Sequence, residues 1–437
     1  MRLVRCAAVL SLVAFMFNGT AAVADAAGGP LEPPGAGWSL KGVVVLSRHG
    51  MRSAVPAVRC EAGSPDCIDG FGDRPWPDFG VSAGNLLAES PSRASAMGRF
   101  YRERYARADV LTAKGCPASG TVSFAADFFA RTVGTAAAVM NGMFPGCAFP
   151  QITIDPDAYR GPDCGLDEAK AAAASRAFIG GSWKALAEGE LAAPLASFSK
   201  VLGPFSKAVC EANKGTYPCT LATLADQVDE PGPLVMSSEP SEQILMQYGS
   251  GRSGSDLGWG RLPAATGKPM PEAVSDLTAV HVAVLRALAR PRYQAVLTGS
   301  QSLASVLAPL GEITAGTGPR FRFIASHDSL MSNIAGMLGL TWKLDHYHTD
   351  QVAPAQSIAF ELWQPPAGGA LAVRLVTYAA TPQQMHDDAA LTLQTPPSAA
   401  VVPVPGCSDA TGSCGWADFA ALSRQAIDPA CVHGPVP

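Results

Sequence analysis

The sequence predicts an α/β fold: a mostly parallel central sheet flanked by helices, with a second, mainly α-helical domain inserted over the site that the sheet builds. Three observations lead there. Apolar runs of strand length end abruptly in polar loops at three places, and helix-prone stretches follow two of them. A long region rich in Ala, Leu and Ser separates the second unit from the third. The chain of 437 residues also exceeds what one hydrophobic core usually organises.

Taken in order, the first two dozen residues read as an export signal. Arg2 and Arg5 supply charge, Cys6 to Phe17 the apolar stretch, and Ala22-Val23-Ala24 a small-residue cleavage site. Residues 1–24 are expected to be removed, leaving a mature chain that starts near Asp25 and resides in the periplasm or outside the cell. The apolar stretch is short for a spanning helix of about 20 residues, and no later segment is long and apolar enough to span. No stable membrane association is therefore expected.

A Gly/Pro-rich lead from Gly28 to Gly37 precedes Gly42-Val43-Val44-Val45-Leu46, continuously apolar as a strand buried on both faces must be. It ends in Ser47-Arg48-His49-Gly50. The second unit runs from Thr121 to Ala126, then Asp127, then an alanine-rich helical stretch with Arg131 near its start. From about Asp167 to Leu310 lies the helix-prone insertion, interrupted by Gly203-Pro204, Pro231-Gly232-Pro233 and Pro269-Met270-Pro271. The third unit is Phe321-Arg322-Phe323-Ile324-Ala325, Ser326-His327-Asp328-Ser329, and Leu330 to Leu338 at helical spacing. Ser357 to Trp363 and Leu371 to Tyr378, joined by a Pro/Gly-rich connection, extend the sheet as a hairpin. These elements set the α/β domain at residues 28–165 and 311–437 and the helical insertion at 166–310.

Composition narrows the function. Apolar residues make up 48% and charged residues 16%, against roughly 25% charged in an average globular chain, which excludes wholesale disorder. The net charge of −5, without basic runs, argues against nucleic acid as the main partner. Without Cys6, ten cysteines remain, an even number suited to an oxidised framework. Cys60 with Cys67, Cys210 with Cys219 and Cys407 with Cys414 pair by proximity. Ten cysteines allow roughly a thousand connectivities, so spacing alone does not pair Cys116, Cys147, Cys164 and Cys431. None of the close pairs has the spacing of a structural zinc knuckle.

Open α/β sheets bind ligands beyond the carboxyl ends of their strands. Here three strand ends deliver Arg48, His49, Arg52, Arg131, His327 and Asp328. Five of these are cationic or can become so, which suits anion capture. Arginine forks donate bidentately to phosphate or carboxylate oxygens. His49, between Arg48 and Arg52, is expected to stay neutral and nucleophilic, so that attack on phosphorus gives a phosphohistidine. Asp328 is the only carboxyl group among the six and is expected to protonate the leaving alkoxide, which predicts an acidic pH optimum. Asp345, His346, His348 and Asp350 form a rival constellation with metal-ligand types and spacing. Trp76, Trp259 and Trp342 are candidate pocket or core residues.

Ser47-Arg48-His49-Gly50-Met51-Arg52 resembles the Arg-His-Gly-X-Arg signature of the histidine acid phosphatases, and Ile324-Ala325-Ser326-His327-Asp328-Ser329 resembles that family's His-Asp motif. Ala126-Asp127 with Arg131-Thr132 looks like its third phosphate-binding segment, and Gly258-Trp259-Gly260 is similar to a segment of its bacterial members. The resemblance is strongest to the bacterial phytase and glucose-1-phosphatase branch. It implies His49 as nucleophile, with Arg48, Arg52, Arg131 and His327 on the phosphate and Asp328 as acid. It also implies no metal or other cofactor, and disulfides Cys116–Cys147 and Cys164–Cys431. Glu242 resembles a substrate-facing acidic position that meets a sugar hydroxyl, and Ser329 stands where the phytases favour Thr, as in the glucose-1-phosphatases. The chain departs from the family at Ser53-Ala54-Val55-Pro56, where proline comes late, and no lysine lies between Arg52 and Cys60.

The expected function is thus an exported phosphomonoesterase for phytate, sugar phosphates or other small esters. Two other readings use the same residues: a periplasmic binding protein for phosphorylated ligands, and a mutase that passes phosphate between hydroxyls. A binder needs neither a nucleophile nor an acid.

Overall fold

The computed structural model describes residues 29–55, 72–148, 152–155, 161–204 and 232–437. The export signal and the cysteines 60, 67, 210 and 219 lie outside the described residues.

Eight strands form one mixed sheet: β1 Ser39–Arg48, β2 Val122–Ala126, β3 Thr153–Ile154, β4 Phe321–Ser326, β5 Ser357–Gln364, β6 Ala372–Ala379, β7 Ser398–Val401 and β8 Ser413–Gly415, in the order β3-β2-β4-β1-β5-β6-β7 with β8 on β6. The first four are parallel. From β5 onward the pairing is antiparallel, because the Pro/Gly-rich connection turns β5 straight back into β6.

The longer described helices are α1 Ser90–Arg107, α2 Ala130–Met143, α3 Glu168–Phe178, α4 Ala192–Leu202, α5 Gly232–Gly249, α6 Glu272–Ala289, α7 Arg292–Ala315, α8 Asp328–Leu338 and α9 Trp416–Ala426. Side chains alternate across β1 and fill both layers. Val43 and Val45 join α1, α2 and the helices of the central region in one apolar cluster. Val44 and Leu46 join α7, α8 and α9 in the other. The boundary expected at residue 310 falls inside α7, which packs against β1, β5 and α8 and so belongs with the sheet.

Close helix approach depends on glycine. A Cβ on Gly98 of α1 would lie 2.2 Å from the Val139 carbonyl oxygen, and one on Gly142 of α2 would lie 2.0 Å from that of Ser95. Disulfides join Cys116 to Cys147, Cys164 to Cys431 and Cys407 to Cys414. Register sets the functional geometry: Arg48 is level with Ser326, and Ala126 with Ala325, so three strands end side by side.

Candidate active site

The β1 end is fixed from both sides. The Arg48 N–H donates to the Gln356 carbonyl (2.8 Å) and the His49 N–H to that of Ser326 (2.8 Å). Gly50 donates its N–H to Thr135 Oγ1 (2.9 Å) and has Ser90 Oγ where a Cβ would project. His49 is 2% exposed, and its Nδ1 lies 2.8 Å from the Gly50 carbonyl oxygen. Because a carbonyl can only accept, Nδ1 carries the proton and Nε2 keeps its lone pair. Burial, followed by the charges of Arg48, Arg52 and His327, holds the His49 pKa well below the ordinary imidazole value. The imidazole is therefore neutral well into the acid range.

Arg48 is fully buried. Its Nη1 donates to the Val352 carbonyl (2.8 Å), while Nη2 meets Glu242 Oε1 at 2.5 Å and Asp328 Oδ2 at 2.7 Å. Arg52 forms a fork with Glu239 (2.6 and 3.1 Å) and also reaches Glu242 Oε2 at 3.0 Å. Both glutamates come from α5, three residues apart and hence on one face. Asp328 is thus not the only carboxyl group here; two helical carboxylates and Asp127 join it, so the cluster is charge-balanced rather than simply positive. The reason is energetic: two buried guanidinium groups without counter-charges would be prohibitively costly.

Glu242, expected to face substrate, is paired with both arginines in this structure. It is 1% exposed and lies beneath the two arginines, with His281 Nε2 of α6 at 3.1 Å from its Oε1. Burial opposes its charge, but Arg48, His281 and Arg52 hold its pKa well below the usual carboxylate range. His281 completes the pattern: burial works against its cation, yet Glu242 and Asp328 raise its pKa, and its Nδ1 lies 3.0 Å from Ser238 Oγ. Asp328 responds likewise: burial and Glu242 favour its neutral form, but Arg48, His281 and Arg52 together outweigh them and lower its pKa. In the resting site Asp328 is thus drawn toward its ionised form. Its Oδ1 accepts from the Ser329 N–H (2.7 Å) at the start of α8.

The third strand end brings in the remaining residues. His327 Nε2 lies 2.6 Å from Asp127 Oδ2, and its Nδ1 lies 3.5 Å from Arg131 Nη2. Asp127 also accepts from Thr132 Oγ1 (2.5 Å) and the Phe129 N–H (2.9 Å); burial opposes its ionisation, but these bonds, led by His327, lower its pKa. The rings of His49 and His327 meet edge-on, with centroids 5.3 Å apart.

Arg48, His49, Arg52, Arg131, His327 and Asp328 therefore gather around one centre, as expected. Ser329 instead lines a separate cleft of about 600 Å³ with Cys164, Leu285, Leu288 and Asn333. The rival constellation does not assemble. Asp350 accepts from Thr341 (2.7 Å) and the Trp342 N–H (3.1 Å) and faces Arg286 and Arg290, while His348 Nε2 donates to the Ser275 carbonyl (2.7 Å). Among the described residues, Glu242, His281 and Asp328 form the one cluster of metal-ligand types, and the Arg48 guanidinium already bridges its two carboxylates. Trp342 is buried in the core, and Trp76 packs edge-on against Trp259 at 5.0 Å. Sequence reading missed Glu239, His281 and the partnership of Asp127. The i, i+3 glutamates of Ser237–Glu242 were a usable signal; a lone histidine in an apolar helix was not.

Comparison with known proteins gives the same picture. Residues 39–177 match the histidine phosphatase superfamily, branch 2. The chain is 28% identical over 419 residues to phytase AppA of Escherichia coli, covering 90% of this chain and 93% of that protein. It is 23% identical over 404 residues to the glucose-1-phosphatase of Providencia rettgeri, covering 88% and 91%. The apo phytase of Hafnia alvei superposes with a TM-score of 0.78 at 26% identity, covering 92% of this chain and all of that one. The chain thus resembles the histidine phosphatase superfamily over residues 39–177 and phytases and a glucose-1-phosphatase over most of its length, and is an enzyme of the histidine acid phosphatase type that hydrolyses phosphomonoesters.

Proposed function

We propose that the protein is an exported acid phosphomonoesterase acting through a phosphohistidine on His49, with Asp328 as general acid and phytate, sugar phosphates or other small esters as substrates. The observation that carries this reading is His49 itself: a neutral, buried imidazole whose Nε2 is bared by the Nδ1–Gly50 bond, beside Arg48, Arg52 and Asp328. Phosphate oxygens compete with Asp328 for Arg48 and bind Arg52, Arg131 and His327. Once Arg48 turns to the phosphate, Asp328 loses the main cause of its low pKa and takes up a proton. His49 Nε2 then bonds to phosphorus as the ester P–O bond breaks, and Asp328 gives its proton to the departing oxygen. A water attacks the phosphohistidine, returns a proton to Asp328, and leaves phosphate and neutral His49.

Residues 28–165 and 311–437 would form the catalytic domain, corrected to include all of α7, and the rest of 166–310 the helical one that supplies Glu239, Glu242 and His281. The disulfides support residence in the periplasm or outside the cell. No described helix is long and apolar enough to cross a membrane. N-terminal sequencing of secreted protein tests export, with a start near Asp25 expected.

The decisive assay is phosphate release at acidic pH with chelator present, from phytate, glucose 1-phosphate and a chromogenic aryl phosphate, for wild type and His49→Ala. Release that survives chelation and vanishes in the variant is expected. Undiminished release by His49→Ala refutes the phosphohistidine route, and binding without release by the wild type returns the chain to the binding-protein class.

A further inference from the structure

Large apolar residues seldom stay exposed, and among the described residues six do. Two of them, Val55 and Phe128, lie beside the proposed phosphate site: Val55 donates its N–H to Glu239 Oε1 (2.8 Å), and Phe128 directly follows Asp127. Phe128 is 55% exposed, the most of the six, and lies in the loop between β2 and α2 that carries Asp127 and leads into Arg131 in the first turn of α2. Its ring stacks on Phe129 with centroids 4.4 Å apart and 29° between planes. Phe129 is held in turn, by the Arg131 guanidinium 4.3 Å from its centroid and by an edge contact with the His327 ring at 5.3 Å. The two phenyl rings are thus registered against two of the groups expected to hold phosphate.

Val55 closes the rim from the other side. A Cβ built on Gly84 would lie 3.3 Å from Val55 Cγ2 and 3.7 Å from Arg131 Nη1, so valine and arginine converge across that glycine. Among the described residues, 53–55, 82–86 and 128–130 read Ser-Ala-Val, Ser-Ala-Gly-Asn-Leu and Phe-Phe-Ala, and the charged groups beside them, Arg52, Asp127 and Arg131, belong to the anion site itself. A flat apolar leaving group finds on these residues an aromatic surface fixed next to that site.

We propose that Phe128, backed by Phe129, is a stacking platform for the leaving group, so that the site favours phosphomonoesters whose leaving group presents an aromatic or similarly flat apolar face. The assignment of the ester side to this rim rests on the proposed phosphatase reading; the test is chosen to separate the two. Calorimetry compares benzylphosphonate with methylphosphonate, both non-hydrolysable, on wild type, Phe128→Ala and Phe128→Tyr. Wild type should bind the aryl compound more tightly, Phe128→Ala should lose about five- to tenfold of that preference, and Phe128→Tyr should retain it. Equal weakening of both ligands in Phe128→Ala, or an unaltered ratio, overturns the proposal, as does the absence of any aryl preference in the wild type. Kinetics on 2-naphthyl phosphate and glycerol 2-phosphate form the second arm. An intact aryl preference in binding without phosphate release would leave the platform standing and remove the catalytic reading.

Discussion

Replacing Glu242 with glutamine removes one buried charge and little volume, and two opposite effects are expected. Its carboxylate meets Arg48 at 2.5 Å, Arg52 at 3.0 Å and His281 at 3.1 Å. Breaking a buried ion pair from one side typically costs about 3–5 kcal/mol, and an isosteric amide that keeps one acceptor belongs at the lower end, about 3 kcal/mol. With an unfolding entropy of about 2.1 cal/mol/K per residue, a chain of this length turns that loss into about 3 °C in Tm. Anion binding moves the other way. A unit charge about 6 Å from the phosphate, at an effective dielectric of about 20, is worth up to about 3 kcal/mol. Removing it at pH 5, on the acid side of the ordinary imidazole value, should tighten inorganic phosphate binding about tenfold or more. At pH 7.5 the gain should be smaller, because Glu242 is the leading cause that raises the His281 pKa, and without it the histidine loses its proton more readily. Thermal denaturation and calorimetric phosphate titration at the two pH values read both effects. An unchanged Tm, weaker phosphate binding at pH 5, or the same gain at both pH values would refute this account of the charge balance.

Three further outcomes follow from the same geometry. His281 has a folded pKa raised above 6.5, so its contribution to stability is complete below about pH 6.5 and is lost as pH rises through the folded value, whereas that of Glu242, with a pKa lowered from 4.5, is lost only as pH falls through its folded value. His281→Asn should therefore flatten the decline of Tm from neutral to alkaline pH, and a decline as steep as in wild type would place its cause elsewhere. Gly142→Ala drives a methyl group into the Ser95 carbonyl and should cost about 2 kcal/mol or more, read as a lower denaturation midpoint; a neutral effect would mean that α1 and α2 separate freely. Chain entropy makes the Cys164–Cys431 link, 267 residues apart, worth about 2 kcal/mol more than Cys116–Cys147, 31 apart, so paired serine substitutions should rank in that order in urea.

What the sequence reveals of this molecule depends on how far apart in the chain the cooperating residues lie. Val43–Leu46 and, apart from the half-buried Arg322, Phe321–Ala325 declare their strands because a strand buried on both faces takes mostly apolar residues, and a strand end is where polar residues can resume. That rule exposes Arg48, His49, Arg131, His327 and Asp328 together. Ser329 shows its limit, since the next residue on a helix points about 100° away and lines a different cleft. Glu239, Glu242 and His281 stay hidden for another reason: their roles exist only once α5 and α6 lie against the β1 end, and no local pattern encodes that distant pairing. Yet their presence was required by physics. Two arginines buried at a strand end need anions in the resting state, and a phosphatase cannot rely on substrate to supply them. Glu239 and Glu242, fixed on one helix face, hold the guanidinium groups in place, and Asp328 holds the remaining Arg48 position that phosphate can take. In the proposed mechanism the anion that yields to phosphate is the acid itself, so that substrate arrival and reprotonation of Asp328 would become one event. Such coupling would place an acidic optimum in the liganded site, where Arg48 no longer holds Asp328 ionised.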